Sequence, residues 1–529
     1  MRKWMVLLTL SLSMFIIVID TTVMNVSISA LVVDLNTSVT GIQAAISLYA
    51  LVMASFILIG GKLADVIGKK RTFVLGLAVF GVGTAMASVS TSLMMLIIGW
   101  SVIEGIGSAL MMPNIQTILR EAYEDKDRAT AYGVISAVGA VGAAMGPIVG
   151  GFLTTYYSWR WAFRLEVAIV IVVLVCCRYI STDLRLGSRP KFDYVGAALS
   201  VCGWSTIVMA VLLGQSYGFW LAKQPFVIGS MELVPLGLSV VPFLFLIGVS
   251  LIVALFSWTA GRDESGDVAL FRPSVFGTAG LKAGIAVRFI HMAVMAAFLF
   301  TMPLLLQLSF EFTAMETGLA LIPFSLALLV SALGGARLSS RFSARLIIQT
   351  GFLLAIAGLV LIATTVSPDA QPSDMATGVV FGAGVGLIAS QILNLVLSSV
   401  APDQTAEVSG LNGTFEQLGN SIGVALVGTI MLGTLTTGLQ DRVMAYPDLE
   451  AEAKVEITHA LQNSVELVSS SQLAEAMQDA GADIEQSAAI LKAYGNERTQ
   501  SFKIGLWFLV FLSLLGLIVT RSLPNRKLV

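Results

Sequence analysis

Charge is scarce in this 529-residue chain: 12% of its residues are Asp, Glu, Lys or Arg, while 56% are hydrophobic and the mean hydropathy is +0.87. Soluble domains carry about 25% charged residues, and a folded chain cannot hide this much apolar surface within itself. The remainder must face lipid, which marks an integral membrane protein. The charges nearly cancel, 31 Lys and Arg against 33 Asp and Glu, so no basic surface for nucleic acid is expected. Cysteine is almost absent. Cys176, Cys177 and Cys202 sit in apolar runs, with neither a disulfide framework nor a metal spacing. The two histidines, His291 and His459, lie far apart, which argues against zinc or haem. There is no P-loop and no hydrolase or kinase constellation. Direct use of ATP, an enzyme activity and a bound cofactor are therefore not expected.

What the chain does have is a series of apolar stretches of about 20 residues, the length that crosses ~30 Å of hydrocarbon as a helix. They fall at 5–31, 41–63, 72–89, 93–117, 130–154, 162–180, 194–213, 235–258, 278–310, 317–338, 346–365, 375–400, 411–436 and 502–520, fourteen in all. The short alternating segments of a membrane β-barrel are not seen. Arg2 and Lys3 precede the first stretch as in a signal peptide, yet it runs too long, holds Asp20 and lacks a cleavage pattern, so it reads as retained.

Basic residues set the expected orientation. One set of loops holds Lys62, Lys69, Lys70, Arg71, Arg120, Lys126, Arg128, Arg185, Arg189, Lys191, Arg262, Arg272, Arg337, Arg341, Arg345, Arg521, Arg526 and Lys527. The opposite short loops hold little beyond Arg160 and Lys223. Both termini are therefore expected in the cytoplasm. Segment 437–500 is polar, with eleven acidic residues against Arg442, Lys454, Lys492 and Arg498. It is expected outside as a solvated insertion with short amphipathic helices around Val455, Leu461, Val465 and Val468.

The turn after the second stretch reads Gly61-Lys62-Leu63-Ala64-Asp65-Val66-Ile67-Gly68-Lys69-Lys70-Arg71. Its glycines permit close approach of helix ends, Asp65 can accept hydrogen bonds, and the basic cluster suits lipid headgroups. The segment resembles the loop signature of the major facilitator superfamily. A worn copy, Gly335 to Arg345, has Ser340 where Asp65 stands and Ser343 where Gly68 stands; an offset of half a chain fits two parallel bundles. In the fifth stretch Gly142, Gly146 and Gly150 line one helix face, and Pro147 bends the helix. That pattern is similar to the antiporter motif of the same superfamily. Asp20-Thr21-Thr22-Val23-Met24-Asn25-Val26-Ser27-Ile28 and Trp159-Arg160-Trp161 resemble signatures of its fourteen-helix drug:proton antiporters.

The resemblance implies an all-helical membrane fold of two six-helix bundles, 1–181 and 271–529, separated by two extra helices within 182–270. It implies a proton-coupled exporter of amphipathic, cationic small molecules, working as a monomer in the plasma membrane with substrate, protons and lipid as its partners. The chain departs from the family at two sites. Ser101 and Glu104 stand where the fourth span usually has Arg and Gln, and Glu416 stands where the thirteenth usually has Arg.

A charge near the bilayer centre costs about 2.5 kcal/mol or more, so intramembrane ionisable residues are candidate functional groups. Asp20, Glu104, Glu416, Arg288 and His291 are the expected proton- and substrate-coupling residues. Asn25, Trp100, Ser108, Gln391, Asn394 and Asn420 are expected around a central cavity, with Trp100 as an aromatic wall beside Glu104. Arg164 and Glu166 rank lower, because a position near the end of the sixth stretch allows snorkelling. Two readings compete with drug export. One is export of a lipid or a neutral or anionic metabolite, with Arg288 as anion partner; the other is a membrane receptor that does not transport.

Overall fold

The computed structural model describes residues 2–123, 125–181, 192–222, 224–228, 231–233, 237–278, 280–366, 372–401, 404–445, 454, 458, 461, 465–479 and 484–525. Arg185, Arg189, Lys191, Lys223, Val455, Arg526 and Lys527 lie outside the described residues.

A first group comprises α1 (Arg2–Val26), short α2 (Ile28–Asp34), α3 (Val39–Ile67), α4 (Lys69–Ala87) and α5 (Leu93–Leu96). A π-helical stretch (Ile97–Glu104) carries α5 into α6 (Gly105–Ala122), followed by α7 (Asp125–Tyr156) and α8 (Arg160–Cys176). Next come α9 (Tyr194–Tyr217) and α10 (Val240–Glu264), linked through a small antiparallel hairpin, β1 (Phe226–Ile228) with β2 (Met231–Leu233), in which Val227 faces Glu232. The last group holds α11 (Leu281–Leu304), α12 (Ala314–Ala320), α13 (Ile322–Leu338), α14 (Ala344–Thr365), α15 (Gly378–Leu397) and α16 (Thr405–Ala445). It ends in α17 (Ser470–Asp479) and α18 (Ile484–Val519).

Among the described residues, 12 helices are long and apolar enough to cross a membrane, or 13 when α12 and α13, bent by 42°, count as one span. The expected fourteen is not reached on length and apolarity alone; α8 has only 17 residues.

Small residues let the helices pack. A methyl on Gly76 would stand 2.9 Å from the Gly107 carbonyl oxygen, so α4 and α6 cross backbone to backbone. The second half repeats the device: a methyl on Gly351 of α14 would stand 2.8 Å from the Gly384 carbonyl oxygen of α15. Helices α9 and α10 pair with each other; α9 packs on α3 and α16, and α10 packs on the 271–277 segment, where Phe256 meets Phe271. Trp204 sits edge-on to Phe415 there, ring centroids 5.9 Å apart.

Within segment 437–500 the described residues include long helical extensions and contacts to the bundle. Helix α16 runs on to Ala445, since nothing breaks it until Pro447. Helix α18 starts at Ile484, well before the apolar stretch. The described residues between them dock onto the bundle: Leu467 is buried, Arg498 donates to the Val468 carbonyl at 2.7 Å, and Ser471 N–H donates to Glu311 at 2.9 Å.

Candidate functional site

A cavity of about 210 Å³ lies where α1, α3, the π-helical stretch, α6 and α7 meet α11 and α16. Five methionines line it, Met14, Met53, Met112, Met292 and Met295, with Tyr49, Trp100, Asn25, Glu416 and Asn420. Unbranched thioether side chains adapt to ligands of different shape. Tyr49 stacks on Trp100 at 5.1 Å and 15°, and its hydroxyl meets Ser108 Oγ at 2.9 Å.

Behind Trp100 stands a group of acids. The Trp100 indole N–H donates to Asp20 Oδ1 at 2.9 Å and Oδ2 at 3.1 Å. Carboxylate oxygens of Asp20, Glu104 and Glu166 lie within 4.8 Å of one another, a spacing that suits shared protons or a cation. All three are buried, at 1%, 0% and 2% exposure. Thr84 Oγ1 donates to Glu166 Oε2 at 2.9 Å, whereas neither Glu104 oxygen has a hydrogen-bond partner. None of the ion pairs among the described residues includes these three acids.

Glu104 closes the π-helical stretch. In a regular helix Trp100 and Glu104 share a face. Here Gly105 N–H reaches back five residues to the Trp100 carbonyl. Gly83 of α4 packs directly on the Glu104 backbone. Trp100 lines the cavity, and Glu104 does not.

In the second half, Arg288 Nη2 meets Glu416 Oε2 at 2.5 Å, joining α11 to α16. Glu416 lines the cavity and Arg288 does not. His291 Nε2 lies 3.2 Å from the Val385 carbonyl oxygen, also away from the cavity. Asn420 Nδ2 donates to Gln417 Oε1 at 3.0 Å. Ser108, Gln391 and Asn394 do not line the cavity: Gln391 donates to the Gly335 carbonyl at 2.8 Å, and Asn394 is exposed.

The glycine motif of α7 meets α1. Gly142 faces Val18, Gly146 is pressed against Thr22, and Gly150 against Val23. Pro147 offers its carbonyl side to Gly318 of α12, so the proline lies at a contact between the two halves. Polar contacts also join the halves where α1 and α7 finish: Gln307 Nε2 donates to the Val26 carbonyl at 2.7 Å, and Met315 N–H to Thr155 Oγ1 at 2.9 Å. In the loop motif, Gly68 adopts φ 98°, a conformation glycine tolerates, and joins α3 to α4. A methyl on Gly61 would come no nearer than 3.9 Å to Pro113, Lys69 pairs with Glu121, and Lys70 donates to the Ile180 carbonyl at 2.7 Å. Asp65 and Arg71 are exposed. Arg160 pairs with Asp34 at 2.6 Å and donates to the Ser90 carbonyl, while Trp159 Nε1 also donates to Asp34.

Sequence reasoning undervalued Glu166 and passed over Tyr49. Depth from the helix end suggested that Glu166 snorkels; the structure instead buries it with Asp20 and Glu104. The available signal was Arg164, two residues earlier and so on the opposite helix face, whose guanidinium lies 4.9 Å over the Trp161 ring.

A helical bundle with a central cavity shared by two halves, and buried acids behind its wall, defines a membrane transporter rather than an enzyme. The chain belongs to the Major Facilitator Superfamily, whose family model matches residues 10–424. It is similar to the probable actinorhodin transporter of Streptomyces coelicolor, at 28% identity over 82% of this chain and 73% of that protein. It is also similar to the puromycin resistance protein pur8 of Streptomyces alboniger, at 27% identity over 83% and 84%. In shape it matches a bacterial homolog of the human lysosomal transporter Spinster, solved inward-facing and unoccupied, with TM-score 0.60, 17% identity, and 98% of this chain and 97% of that one covered. That likeness shows the fold.

Proposed function

We propose that this transporter exports amphipathic, cationic small molecules from a bacterial cell in exchange for protons. The observation that carries the reading is the Trp100 indole, which lines the methionine-rich cavity and donates to both oxygens of buried Asp20. A substrate stacked on Trp100 and Tyr49 thus rests one hydrogen bond from an acid that holds or releases a proton. Glu104 and Glu416 complete the set of coupling acids, with Arg288 pairing Glu416 and His291 nearby on α11. Protonation weakens the pull on a cation at the cavity wall, and deprotonation restores it.

No Lys or Arg lines the cavity among the described residues, and Arg288 is committed to Glu416. That favours a cation over an anionic metabolite. In this reading the chain sits in the plasma membrane as a monomer with both termini cytoplasmic. Fourteen helices then divide at 1–181, 182–270 and 271–529, with 437–500 outside. One charge crossing ~100 mV supplies about 2.3 kcal/mol to accumulation.

The test is transport by purified protein in vesicles, with puromycin as the probe. An acidic lumen should drive puromycin uptake, and a protonophore should abolish it. Binding without flux would make the chain a receptor. Flux indifferent to the proton gradient would remove the coupling.

A further inference from the structure

Helix α1 separates two spaces. Met14, Val18 and Thr21 face the central cavity, whereas Phe15, Ile19 and Val23 face a small apolar cleft between α1, α7 and α8. Asp20 lies between these two faces and reaches the cavity through Trp100. Glu166 lines the cleft and not the cavity. Glu104 lines neither; it is wholly buried, and both of its oxygens lack a donor.

The groups facing this cluster are few. Helix α4 offers the Thr84 hydroxyl, the π-helical stretch offers the Trp100 indole, and α3 offers Tyr49, whose hydroxyl meets Ser108. Helix α7 brings only Val149 and Leu153 to the cleft. On α8 itself, Arg164 lies over Trp161. Three acids this close, with no cation paired to them among the described residues, are not favoured as three full charges in an apolar interior, which suits them to sharing protons.

We propose that Glu166, Glu104 and Asp20 form a proton relay that is reached through the cleft between α1, α7 and α8, apart from the substrate cavity, with Glu166 as its first group. The inference rests on the proton-coupled reading above and adds a third acid and a separate route. A proton taken up by a Glu166 oxygen passes to Glu104 and on to Asp20, each acid giving up one proton as it accepts another. Substrate and the relayed proton then meet at the Trp100–Asp20 hydrogen bond.

The first measurement needs no transport and no variant, so it stands apart from the transport assay. Wild-type protein in vesicles is treated with dicyclohexylcarbodiimide, which partitions into apolar surroundings, or with a water-soluble carbodiimide, and labelled acids are located by mass spectrometry. Glu166 should be labelled at least fivefold more by the lipid-soluble reagent, and saturating puromycin should change that by less than twofold. A weaker preference, no labelling, or protection by puromycin would overturn the separate route.

The second measurement uses Glu166→Gln. Proton-driven puromycin uptake should fall at least tenfold, while puromycin counterflow, which moves no net proton, keeps at least a third of its rate. Glu166→Asp should recover part of the driven uptake. Equal loss of both activities, without recovery in Glu166→Asp, would make Glu166 structural and overturn the relay. Replacing sodium by choline should leave driven uptake within twofold; a sodium requirement would overturn the assignment to protons.

Discussion

Trp100 and Asp20 are joined through one indole N–H that reaches both carboxylate oxygens, at 2.9 and 3.1 Å, from the wall of the cavity to the acids behind it. A hydrogen bond to a charged group contributes about 1.5–3 kcal/mol, enough to shift a binding equilibrium ten- to a hundredfold. The indole ring belongs to the substrate space and its N–H to the proton space, so the residue links the two.

Trp100→Phe keeps an aromatic ring against Tyr49 and removes the N–H. Proton-driven uptake should fall by more than tenfold while puromycin affinity changes by less. Vesicle transport beside equilibrium binding checks this. Loss of binding as large as the loss of uptake would mean that the ring, rather than the hydrogen bond, carries the role.

Gly146 of α7 is pressed against Thr22 of α1, so a larger side chain forces the helices apart. Gly146→Leu should abolish transport and lower the melting temperature of the purified protein. Wild-type flux would show that the contact with α1 is dispensable.

Arg288 and Glu416 form a pair with side-chain exposures of 10% and 15%. Removing one partner of a buried pair typically costs about 3–5 kcal/mol, because the other charge is left uncompensated. Arg288→Met should therefore destabilise strongly, and adding Glu416→Gln should recover much of the loss. Thermal unfolding of both variants decides this; a double variant no more stable than the single would contradict it.

Asp65 is exposed at the turn between α3 and α4, without an ion pair among the described residues. A latch role belongs to another arrangement of the halves. Asp65→Asn should leave melting temperature and puromycin affinity near wild type while slowing exchange at least tenfold. Wild-type exchange would reduce the motif to a headgroup anchor.

Much of this was legible in the sequence, for physical reasons. Lipid demands long apolar helices, so the spans stand out as composition alone. The glycines of α7 are readable because a close helix crossing admits little else, and Asp20 and Glu104 because an acid in an apolar run needs a purpose. Depth along a helix misplaced Glu166, since burial depends on which way the face turns and on Thr84 waiting across from it. The π winding of Ile97–Glu104 was invisible as well, because it changes hydrogen-bond partners without changing the apolar pattern.

The most direct test of coupling through the buried acids is puromycin affinity against pH, for wild type and for Asp20→Asn, in protein held in lipid. An amide mimics the protonated acid permanently and cannot release a proton. Wild-type affinity should rise as pH rises, by no more than tenfold per pH unit for each proton exchanged, because each unit is worth 1.36 kcal/mol per proton. Asp20→Asn should bind weakly with a flat profile. Parallel curves for the two proteins would contradict the coupling role of Asp20.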